Sequence, residues 1–194
     1  MVRAFACFAA AAVIVTGVAA ATLYRAAAPD WHEASWHGTS WHGTFWHEIS
    51  WPFPRDAWPA GRAFRCGAAA CGGSVEVYVR PKLGFCNCST GVAGDDEVDG
   101  VSDMDMISAD FIPRRPGEPI SIGGMAGRTR AYTLRMPDGT TRAAAGFALS
   151  RRCDLVVAAS QGQAAGSLQA QRAIVDLLET GPIADWIMSR LGKG

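Results

Sequence analysis

Four histidines and five cysteines are the residues in this chain best suited to bond chemistry. The histidines are His32, His37, His42 and His47, each directly after a tryptophan: Trp31, Trp36, Trp41 and Trp46. Trp51 closes the series, so tryptophan recurs at every fifth residue. Neutral imidazoles ligate Cu, Zn or haem iron. A pliable tract that folds four of them around one ion would be an exported metal site. Glu33 and Glu48 would then accept the second ring N–H of a ligand. The spacing is that of no zinc motif, and no Cys-x-x-Cys-His haem attachment is present.

The indole rings support two other readings of the same tract. Tryptophan favours the lipid headgroup layer, where an apolar ring and a polar N–H are both satisfied. It is also enriched at binding hot spots. The leading expectation for Trp31, Trp36, Trp41, Trp46 and Trp51 is a membrane-interface linker, with a docking strip for an envelope protein as the next. Metal binding at the histidines is the rival. Five residues advance a helix by about 500°, which scatters the rings around it. On a strand an odd step sends successive rings to opposite faces. The repeat is therefore expected to be irregular or extended.

Cys66, Cys71, Cys86, Cys88 and Cys153 follow the repeat, while Cys7 lies in an apolar N-terminal run. In an oxidising compartment clustered cysteines form disulfides. Two bridges with one thiol left over are expected, with Cys153 free to reach either cluster. The spacings do not fit a Cys₄ zinc knuckle, and no Cys-x-x-Cys redox pair is present.

Other chemistry is thin. Asp95, Glu97, Asp99, Gly100 and Asp103 partly follow a calcium loop, but Met106 stands where the bidentate acid belongs. A solvated turn and the start of a short helix are expected there instead. Ser121 to Gly127 lacks the order of a nucleotide loop, so its glycines are assigned to a bend or a close backbone approach. Arg128 and Arg130 are read as solvated. Beyond the repeat there is no histidine, no His-Glu-x-x-His and no Gly-x-Ser-x-Gly. A non-catalytic role follows as the expectation.

The elements that must position these residues can be read along the chain. Arg3 precedes an uncharged run from Ala4 to Tyr24 that Arg25 ends. About twenty residues cross a hydrocarbon core, while Ala19 to Ala21 and Ala26 to Ala28 offer signal-cleavage sites. The expectation is a single-pass inner-membrane anchor over 1–25 with a periplasmic C-terminal domain, or alternatively a protein secreted after cleavage. Residues 26–60 form the repeat and a Pro-rich linker, and 61–194 the exported domain, starting near Gly61. All but Lys82 and Lys193 of the eighteen basic residues are arginine, and with abundant Ala and Gly this is the composition of a GC-rich bacterium. The formal net charge of zero gives no reason to expect a nucleic-acid partner, so membrane lipid and an envelope protein are the expected ones.

Val75, Val77 and Val79 alternate as a strand. Thr129 to Arg135, Pro137-Asp138-Gly139 and Thr141 to Leu149 read as a β-hairpin, and Cys153 to Val157 as its third strand. Ser167 caps a helix over 168–180, Gly181 ends it, and Pro182 begins another whose apolar face includes Trp186. The expected fold is α+β: a small antiparallel sheet packed with C-terminal helices, preceded by an N-terminal apolar helix and an irregular Trp-His tether. The expected function is that of a membrane-tethered envelope accessory or protein-interaction domain.

Overall fold

The computed structural model describes residues 45–54, 56–84 and 88–192. The proposed anchor, Trp31, Trp36, Trp41, His32, His37, His42, Cys7 and Cys86 lie outside the described residues. No helix among the described residues is long and apolar enough to cross a membrane.

Strand β1 (Trp46–Ile49) leads into β2 (Arg62–Cys66), the one-turn helix α1 (Ala68–Cys71) and β3 (Val75–Lys82). Two short helices follow, α2 (Asp95–Val101) and α3 (Met104–Ile107), then the short strands β4 (Asp110–Pro113) and β5 (Glu118–Ile122). Three long strands come next, β6 (Met125–Arg135), β7 (Thr141–Arg151) and β8 (Asp154–Gly162), before α4 (Leu168–Glu179) and α5 (Gly181–Arg190). All strands join one eight-stranded sheet in the order β1-β2-β3-β8-β7-β6-β4, with β5 also on β6. Every pairing is antiparallel. The sheet is larger than the small one the sequence suggests.

The meander forms as its turn signals predict. Gly139 takes φ +80° in the β6–β7 turn, where Asp138 accepts hydrogen bonds from the Thr140 N–H and hydroxyl. Gly127 permits a close strand approach: a Cβ there would lie 1.9 Å from the Ala148 carbonyl oxygen. Ser167 caps α4 by accepting from the Ala170 N–H, a contact worth about 1 kcal/mol.

The two sheet faces differ in chemistry. One face is apolar and lies beneath α4 and α5. Val75, Val77, Val79, Phe147 and Leu149 meet Ile174, Leu178, Ile183 and Ile187 there. The other face carries Tyr78, Arg80 and Lys82 from β3 and Arg128, Arg130 and Tyr132 from β6. Here Tyr132, Leu134 and Met104 form a smaller buried cluster with partly buried Trp51 and Phe53.

On this second face the acids of α2 are not simply solvated. Asp95 accepts from the Arg128 guanidinium at 2.8 Å, and Asp99 accepts from Arg130 at 2.5 Å and from the Tyr132 hydroxyl at 2.6 Å. Arg128 and Arg130 are therefore docking groups for α2, which corrects the reading of both as solvated surface. Even partly burying two guanidinium groups favours partners of opposite charge, and the acidic cluster supplies them.

Cys66 bonds to Cys71 and Cys88 to Cys153. The two expected bridges are present, and Cys153 selects the second cluster. The first clasps the end of β2 to α1. The second ties the segment before α2 to the β7–β8 turn.

Candidate functional site: the edge-strand slot

The sheet reaches upstream of Gly61. The last full pentad of the repeat is β1, so this part of the tract is regular. It pairs with β2 in the register Trp46↔Cys66, His47↔Arg65, Glu48↔Phe64 and Ile49↔Ala63. Nothing in the pentad has the apolar alternation of a half-buried strand. It is held by individual anchors instead.

Trp46 is the first anchor. Its ring is 4% exposed, enters the helix-side core, and donates from Nε1 to the Ala173 carbonyl of α4 at 3.1 Å. A buried indole N–H needs such an acceptor. Trp46 is thus not available to a lipid or partner surface. Glu48 is the second anchor. It takes a forked pair of hydrogen bonds from Arg62, Nε at 2.7 Å and Nη2 at 2.5 Å. Two-point guanidinium–carboxylate pairing adds directional selectivity to charge attraction. Arg62 is held in turn over the rings of Phe64 and Trp186. The Glu48 carboxylate is therefore engaged by Arg62.

Trp51 comes five residues later and lies on the opposite face. It makes edge-on contacts with Phe53 and Tyr78 and stands beneath the Arg80 guanidinium. The odd step does place Trp46 and Trp51 on opposite sides. Gly61 lets this ring pack: a Cβ there would lie 2.5 Å from it. His47 is exposed. Among the described residues, no group of three or more His, Cys, Asp or Glu side chains is arranged to hold a metal ion.

Beside β1 lies a cleft of about 750 Å³, lined by Phe45, Trp46, Ala70, Arg172, Asp176 and Leu177 among others. Phe45 is 69% exposed at its mouth. Among the described residues β1 has a strand neighbour on one side only. An open strand edge beside a partly apolar cleft is the geometry that accepts an extended peptide.

A second polar depression of about 470 Å³ lies across the sheet, lined by Glu76, Arg142 and Gln161. Glu76 accepts from Arg65 and from the Tyr78 hydroxyl at 2.6 Å, and Gln161 donates to that hydroxyl at 2.8 Å. Burial alone would raise the Glu76 carboxyl, but the bonds from Tyr78 and Arg65 outweigh it and hold the group below its ordinary value. Burial, reinforced by the Glu76 carboxylate, pushes the Tyr78 hydroxyl up. General acid–base catalysis needs values near the working pH. Here the acid is weakened and the base is weakened with it, so the constellation is better suited to holding β3 and β8 together.

These tyrosines make a testable prediction. Tyr132 is raised as well, by burial and then by Asp99. Below the unfolded value of 10.0 both states keep the phenolic proton, and the stabilisation is fully present. As pH rises past that value the unfolded chain ionises first, so stability falls. Ultraviolet phenolate absorbance from Tyr78 and Tyr132 should appear only together with alkaline unfolding. Titration of either ring in a protein that is still folded would contradict this.

The sequence singled out Trp46, Trp51 and the bridging cysteines. It missed Arg62, Arg172 and Asp176. One signal pointed to Arg62: glutamate follows Trp-His in the first and fourth pentads, while glycine follows it in the middle two.

No family model matches the chain, and no curated protein matches it. Among solved structures, it is similar to PA94, a protein of unknown function from Pseudomonas aeruginosa. The two share 16% identity over 66% of this chain and 86% of that one, with a TM-score of 0.42.

Proposed function

We propose that this chain is an exported, membrane-tethered interaction domain without catalytic activity, and that it docks a partner along the β1 edge. The observation that carries this reading is the edge of β1, unpaired among the described residues, beside the cleft, with Phe45 at its mouth. An extended partner segment adds as a further strand and places a side chain in the cleft. Phe45 supplies apolar contact, and Arg172 and Asp176 supply polar selection. The two disulfides support an oxidising compartment. The apolar N-terminal run carries the domain to the membrane, with the repeat as its periplasmic lead.

A photoreactive residue at Phe45, introduced in native membranes, tests the docking face. Ile112, exposed on β4 at the far end of the sheet, is the matched control. A discrete crosslinked partner from position 45 and not from 112, lost with Arg172→Glu, is expected. Equal labelling from both positions would refute the assignment.

A further inference from the structure

Helix α4 carries its exposed charges against its own dipole. Its buried side is Ala170, Ile174, Leu177 and Leu178. The opposite side presents Leu168, Arg172, Asp176 and Glu179, all exposed. At intervals of three and four residues these fall in one stripe. The basic residue stands in the N-terminal half and both acids stand toward the C-terminus. A helix C-terminus is partially negative and favours cations, while the N-terminus favours acids. Helix α4 has no basic residue in its last turn and no acidic one in its first. Arg172 precedes Asp176 by four residues, which is the weaker order for pairing within a helix. The charged groups of Arg172, Asp176 and Glu179 have no hydrogen-bond or ion-pair partner among the described residues. Leu168 is 58% exposed and, with half-buried Val175, lines a depression of about 210 Å³ beside the helix.

We infer that this face of α4 binds the same face of a second copy of the chain, antiparallel, about a two-fold axis at the level of Ile174. A two-fold interface uses one patch twice, so the patch must complement itself. Arg172 and Asp176 lie two residues to either side of that level, about 3 Å along the helix in each direction. In the antiparallel order Arg172 of each copy therefore meets Asp176 of the other. Glu179 comes beside Gln169, and Leu168 beside Thr180. Each acidic helix end then lies next to the arginine and the positive end of the other helix, which offsets the conflict with its own dipole. A parallel pair would set Arg172 against Arg172 and Asp176 against Asp176, and like charges brought face to face repel.

The formal net charge of zero adds no general repulsion between copies. One exposed ion pair contributes little. Here the pair occurs twice, and an exposed leucine from each copy leaves water with it. The inference concerns the outer stripe of α4, and a foreign partner captured from position 45 would leave it standing.

Mixing two charge variants of the full chain in detergent is the test. Arg172→Asp places acids at both positions, and Asp176→Arg places arginines at both. Each variant is repelled by its own kind. Each should self-associate at least about tenfold more weakly than the unaltered chain in sedimentation equilibrium, because one substitution alters both symmetric contacts. An equal mixture should recover the original association, since positions 172 and 176 of one variant complement those of the other. A photoreactive residue at position 168, in an otherwise unaltered chain, gives a readout independent of both variants. In a mixture of light and heavy-isotope chains it should crosslink residues 176–180 of the other copy. Undiminished association in both single variants would overturn the inference. So would a mixture no stronger than its components, or crosslinks confined to one chain.

Discussion

Asp103→Ala should be among the most destabilising single substitutions in the domain. Arg80 and Lys82 project from β3 with side chains only 3% and 6% exposed. Asp103 serves both, accepting from Arg80 Nε at 2.9 Å and from Lys82 Nζ at 2.5 Å. Asp56, which also holds Arg80, is 42% exposed and so lies nearer solvent. Removing the carboxylate that faces two buried cations costs about 3 kcal/mol, because both stay buried with less counter-charge around them. The backbone adds to this. Asp103 sits at φ +61°, where asparagine and aspartate are tolerated and alanine is strained. Asp103→Asn keeps the backbone preference and a hydrogen-bond acceptor, so its loss should be the smaller of the two. Urea unfolding of both variants checks the order. A loss below about 1 kcal/mol for Asp103→Ala would show that the cluster does not anchor the α2–α3 corner.

Loss of the Cys88–Cys153 bridge is the second large expectation. It closes a loop with a sequence separation of 65, against 5 for Cys66–Cys71. By loop-closure entropy the long bridge contributes about 4 kcal/mol and the short one about 2 kcal/mol. For a domain of this size the long bridge translates to roughly 8–16 °C in melting temperature. Cys88→Ser/Cys153→Ser should therefore melt well below Cys66→Ser/Cys71→Ser. The same corner holds Asp154, which accepts from the backbone N–H groups of Gly84 and Gly192. These contacts persist in the variant and should keep its fold native-like. Equal melting of the two double variants would refute the chain-entropy account.

Local signals made much of the meander legible. Asp138 and Gly139 specify a turn chemically, and Val75, Val77 and Val79 show their common face by alternation. Ser167 and Pro182 mark the starts of α4 and α5 for reasons internal to a helix. The remainder depended on partners distant in sequence. Trp46 finds its acceptor at Ala173, and Glu48 its guanidinium at Arg62. Neither strand β1 nor the slot can be read from periodicity, because two anchors rather than an apolar stripe hold it. Strands β4 and β5 contain Pro113 and Pro119, which weaken a strand signal but suit a position near the edge of a sheet. Arg128 and Arg130 looked like surface because their acids lie some thirty residues upstream.

The placement of β1 has a mechanical consequence. Its N-terminal end is continuous with the tract that leads toward residue 1, so a load applied from that side reaches Trp46 first. An edge strand pulled from its end detaches one pair at a time, instead of shearing along its whole length. Once it is off, the load passes to Trp51, Phe53 and Asp56, which hold to Tyr78 and Arg80, and the Cys66–Cys71 bond diverts tension around α1. The seven strands β2 to β8 can then stay folded.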